Sequence, residues 1–107
     1  MSVVAKDLEH HLSRELQALF GRHVQMAAMV LKPAELIELM QVAAANLACC
    51  SLSSSVASIA ASTEGDVDVA DLFDDFLTAY QGLLASQRDG MLEKISPAVA
   101  ARKAQPA

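Results

Sequence analysis

The side chains with the widest chemical reach are the three histidines. His11 and Glu15 stand four apart, so a helix puts them on one face, and His23 follows about three turns on from His11. Two imidazoles and a carboxylate are a ligand type for zinc or iron. One helix spreads these three too far to chelate jointly, and no second ligand pair stands out elsewhere. The Glu-x-x-His pairs that di-iron bundles place on two helices are absent. His11, Glu15 and His23 therefore stay weak metal candidates. The expectation is no metal and no cofactor, with His10 and His11 solvated and His23 partly buried.

A second set of ligand types is the acidic run EGDVDVADLFDD, Glu64 to Asp75. An EF-hand loop needs oxygens at positions 1, 3, 5, 7, 9 and 12 and glycine at 6. Counted from Asp66, position 6 is Asp71 and position 12 is Leu77, so the pattern fails. The run instead suits a helix N-terminus, where negative charge complements the helix dipole. Serines are plentiful, but no Gly-x-Ser-x-Gly elbow accompanies them, and no glycine loop would cradle a phosphate. These absences lead to an expectation of no enzymatic activity.

The stretch LEHHLSREL, Leu8 to Leu16, resembles the phosphoacceptor helix of histidine kinases and phosphotransfer proteins, where a surface histidine on a helical hairpin accepts phosphate. The resemblance covers fewer than ten residues and implies His11 as the acceptor. Leu12 stands where kinases commonly carry an acid, and the Lys-Gly that follows in many phosphotransfer domains is missing. A phosphotransfer or metal-binding helical protein is thus an alternative to the main reading.

The elements that would position these residues are helices. Apolar residues make up 53% of the 107 and aromatics only 4%. The excess is alanine, twenty in number, the best helix former and a poor source of buried area. Leu8, Leu12, Leu16, Leu19, His23, Ala27 and Val30 recur at helical spacing and predict a first helix from about Val3 to Leu31, continuous or lightly kinked at Gly21. Pro33 opens a second helix that reaches about Ser62. Asp68 caps a third, with Asp71 at its third position and Val67 and Leu72 placed for a hydrophobic staple. Gly90 is the expected C′ residue after it. A short fourth helix would start with Ser96 as N-cap and Pro97 at its first position, and the final AQPA would fray. The fold class is all-α. The expected form is a small bundle of three main helices with that short fourth, residues 1–95 as one domain and 96–107 as a short helix or frayed tail.

Helix two carries the stretch Leu39 to Thr63, without one charged side chain. It shows two apolar stripes. Leu36, Met40, Ala43, Leu47, Cys50, Ser54, Ala57 and Ala61 form one; Val42, Ala45, Cys49, Leu52, Val56 and Ile59 form the other. Such a helix is central in a bundle or lies in a membrane. Twenty-five residues are long enough to span, but Gln41, Asn46 and six serines oppose insertion. The expectation is a central helix between neighbours or against a second copy, hence a homodimer. A membrane-associated subunit through residues 39–63 is the alternative. Cys49 and Cys50 are expected to be free, small and buried. The first twelve residues meet Asp7 and Glu9 and have no apolar run, unlike a signal peptide, so a cytoplasmic setting is expected.

Charge directs the functional reading. Residues 33–87 hold no Lys or Arg and carry −8, against +1 for residues 1–32 and +2 for residues 88–107. Phosphate backbones require clustered bases, so nucleic acid is not an expected partner. The chain reads as a small acidic protein-interaction module of the regulator, antiactivator or chaperone type, masking a basic or helical surface on another protein. Asp71, Asp74 and Asp75 would supply attraction, and Phe73, Phe76, Leu77 and Tyr80 the apolar anchors.

Overall fold

A computed structural model describes residues 1–105. Among these there are four helices and no strand: α1 (Val3–Ala28), α2 (Pro33–Ser62), α3 (Val69–Ser86) and α4 (Arg88–Ala104). The all-α class follows. The chain divides into two units, Met1–Ala48 and Cys49–Ala107, with the boundary inside α2. Part of the expected frayed tail, Pro106 and Ala107, lies outside the described residues.

Local chemistry explains most of the helix boundaries. The Ser2 hydroxyl caps α1 by accepting from the Ala5 N–H at 3.1 Å. The helix passes through Gly21 without interruption and ends at Ala28. There the N–H groups of Met29 and Val30 bond three residues back, to Met26 and Ala27, tightening the last turn. Pro33 occupies the first position of α2, where its missing N–H costs nothing. The Glu35 carboxylate reaches back to accept from the Lys32 N–H at 3.1 Å, one half of a capping box.

Gly65 breaks the chain between α2 and α3 with φ +92, a backbone conformation that only glycine adopts without strain. Asp68 then caps α3 as expected, its side chain accepting from the Asp71 N–H at 3.1 Å. Val67 and Leu72, the staple pair, are both half-buried. Asp68→Ala should cost about 1 kcal/mol of stability. Urea unfolding followed by circular dichroism measures it, and an unchanged midpoint would mean that the cap is idle.

The C-terminal elements differ from expectation. Gly90 has no positive φ and ends nothing. Gln87 alone, still near helical geometry, separates α3 from α4. Gly90 falls in the first turn of α4, which runs on through Ser96 and Pro97 to Ala104. The short helix starting at Ser96 is therefore replaced by a longer one that crosses residue 95 with Pro97 in its interior.

Burial is sparse. No residue of Met1–Ala48 is buried, and among the described residues of Cys49–Ala107 only Leu52 (7% exposed) and Val56 (4%) are. Each α2 stripe is used in one unit. Leu36 and Met40 of the first stripe are half-buried in Met1–Ala48, and Leu52 and Val56 of the second form the core of the other unit. Ser55 and Ile59 of α2 and Phe76 of α3 line one shallow depression. Within the single chain much of α2 is exposed. Leu39, Val42, Leu47 and Ile59 are exposed, and so are both free cysteines, Cys49 and Cys50.

Candidate interaction surfaces

The histidines do not assemble into a site. His11 and Glu15 pair across one turn of α1 at 3.9 Å, both well exposed. His23 lies twelve residues further along the same helix, about 18 Å away at the helical rise. Among the described residues no group of three or more potential metal ligands comes together. His23 is exposed rather than partly buried. It lines an apolar groove of about 620 Å³ within Met1–Ala48, together with Phe20, Val24 and Met26 of α1 and Leu39 and Met40 of α2. Purified protein should carry no stoichiometric zinc or iron. Elemental analysis decides it, and metal that is lost on His11→Ala would reverse the assignment.

On α3 the sequence-derived partner residues separate into two faces. At 100° per residue, Asp71, Asp74 and Asp75 share one arc about 100° wide, while Phe73, Phe76, Leu77 and Tyr80 share a similar arc on the opposite side. Burial follows the same division. The three acids are exposed and the four anchors are half-buried. Asp71 also donates its backbone N–H to the Asp68 cap. A partner approaching the acids would therefore not meet the aromatic side chains on the same face of the helix. Periodicity within α3 contains this separation, because residues 71, 74 and 75 fall between the apolar positions.

The acidic arc is not neutralised from within. Among the described residues the close contacts of charged or titratable partners are Arg88–Asp89, an ion pair at 3.0 Å, and His11–Glu15 at 3.9 Å. Neither involves Glu64, Asp66, Asp68, Asp71, Asp74 or Asp75. These six acids, all exposed, occupy a segment with no base in it.

The apolar groove in Met1–Ala48 is not legible as a site in the sequence. Its residues belong to the helix-one stripe and the first α2 stripe, which read as ordinary packing faces. Only the incomplete closure of α1 on α2 turns them into surface. Comparison of the chain with protein-family models, with curated proteins and with solved structures finds no match.

Proposed function

We propose that the protein is a small, non-enzymatic interaction module of the cytoplasm that docks on a basic surface of another protein, and that it works as a homodimer. The observation that carries the docking reading is the exposed, unpaired arc of Asp71, Asp74 and Asp75 on α3. It sits in a stretch of −8 with no Lys or Arg. Such a field accelerates encounter with a positive partner and disfavours acidic ones, and it acts on rate more than on affinity. The half-buried anchors lie on the opposite face of α3, and so do its exposed ends, Val69, Leu83 and Leu84, so docking at the arc rests on charge. Cofactors are not required by this reading. The dimer is supported by the number of large apolar side chains left in solvent.

Affinity capture with mass spectrometry tests the docking reading, run beside a variant with Asp71, Asp74 and Asp75 changed to Asn. Loss of the captured proteins from the variant, with its helicity intact, is the expected result. Recovery of the same proteins at equal strength in moderate salt would show that the arc is only solvated surface.

A membrane-associated role is the second reading, and one observation favours it. Helix α2 is 30 residues long, its most apolar window has a mean hydropathy of 1.5, and only 11% of that window is buried. Two of its hydroxyls, Ser55 and Ser62, bond back to the Ser51 and Ile59 carbonyls, which lowers their cost in an apolar medium. Fractionation separates the readings, since recovery in a detergent-soluble membrane pellet would favour lipid.

A further inference from the structure

We infer that Cys49 and Cys50 form an exchange site for small-molecule disulfides, and that closing the pair into one ring opens α2 at that point. Both thiols are free and exposed, and both lie in the interior of α2. A helix holds neighbouring Cβ atoms roughly 5.3 Å apart, whereas a disulfide needs about 3.5–4.5 Å. Neighbouring Cα atoms err in the other direction, at about 3.8 Å against the usual 4.4–6.8 Å or so across a disulfide. The two sulfurs therefore cannot join while residues 49 and 50 stay helical. Ring and helix exclude each other, which makes the pair a switch.

The part of α2 around the pair has little to lose by opening. Residues 41–51 are all exposed except Ala48, which is half-buried. The half-buried Met40 precedes this stretch and the buried Leu52 follows it. Opening a turn at Cys49 and Cys50 costs local backbone hydrogen bonds and little burial, the condition for a low-energy local opening. Cysteine and serine, which fill positions 49–51, are also middling helix formers. The Ser55 hydroxyl donates to the Ser51 carbonyl at 2.9 Å, a back-bond that slightly weakens a helix. The boundary of the two units falls between Ala48 and Cys49, so the opening lies at an edge of each.

The exchange runs in two steps. One cysteine thiolate attacks a sulfur of the small disulfide. A mixed disulfide forms, and half of the small molecule leaves as a thiolate. The neighbouring cysteine, once released from the helix, attacks the protein-side sulfur, and the second half leaves. Two protein thiols are oxidised by two electrons, and one small disulfide is reduced to two thiols. The two cysteine protons pass through solvent to the leaving thiolates. Adjacency makes the second step intramolecular, at high effective concentration. A ring strained in this way is readily reduced again, which suits a transient sensor in a reducing compartment.

Treatment of the intact chain with excess glutathione disulfide, read by intact mass and amide hydrogen exchange, tests the site. The expected product is a monomer lighter by two hydrogens. Its exchange should be about tenfold or more faster for a turn on either side of Cys49 and Cys50, and unchanged in α1 and α3. Dithiothreitol should restore both the mass and the slow exchange. Cys50→Ser should stop at the mixed disulfide, one glutathionyl group heavier, and exchange more slowly in α2 than the ring form. A closed ring with unchanged exchange in α2 would overturn the switch. Chains linked to one another, or a mixed disulfide on each cysteine that never resolves to the ring, would overturn the site.

Discussion

Leu52→Ala should destabilise the chain by about 2–3 kcal/mol, near the lower end of the range for truncating a buried leucine. Leu52 and Val56 are the only buried side chains among the described residues, so the loss falls on the one place where they exclude water. The half-buried Phe73, Phe76, Leu77 and Tyr80 on α3 have little else to organise around. Small domains have only about 5–15 kcal/mol to lose, so the change should move the urea midpoint substantially and drop helicity at moderate temperature. Leu8→Ala provides the contrast, because Leu8 is mostly exposed in a single copy. At low protein concentration its effect should be a few tenths of a kcal/mol, as for an exposed surface site. Equal effects at the two positions would mean that the core lies elsewhere.

Pro97→Ala should stabilise α4 by up to about 3 kcal/mol, the difference between proline and alanine inside a helix. Pro97 is the tenth residue of α4 and supplies no N–H to the Glu93 carbonyl. No residue of α4 is buried, so the gain should appear mainly as slower amide exchange on both sides of position 97, with a smaller change in global stability. The alternative arrangement, a separate helix with Ser96 as cap and Pro97 at its first position, gives a different result. Proline is favourable there, and alanine would leave exchange unchanged or make it faster.

Features set by near neighbours in the chain are legible in the sequence. Pro33 as the start of α2 and Asp68 as the cap of α3 depend on a few adjacent residues, and so does the continuity of α1 through Gly21. Gly65 and Gly90 show where that reasoning stops. Both sit among turn formers, yet only Gly65 adopts a positive φ. The break near Gly90 is made instead by Gln87, which carries no turn signal. The two stripes of α2 can be drawn from spacing, but which stretch of each is covered depends on residues tens of positions away. That is why spacing places Cys49, Cys50 and His23 inside while all three lie outside. The acidic surface is legible by charge alone. Its separation from the α3 anchors follows from the helical period, applied to residues 71 to 80 together rather than to each set in turn.

The acidic arc as a docking surface is the central claim, and the salt dependence of binding to a captured partner tests it most directly. Titration at about 50 and about 300 mM salt shortens the screening length from roughly 14 Å to under 6 Å. The wild-type chain should lose roughly tenfold in affinity over this range, mostly through a slower association rate. The variant with Asp71, Asp74 and Asp75 changed to Asn should bind weakly at both concentrations, with a much flatter response. Equal affinities for the two proteins, unmoved by salt, would contradict the account.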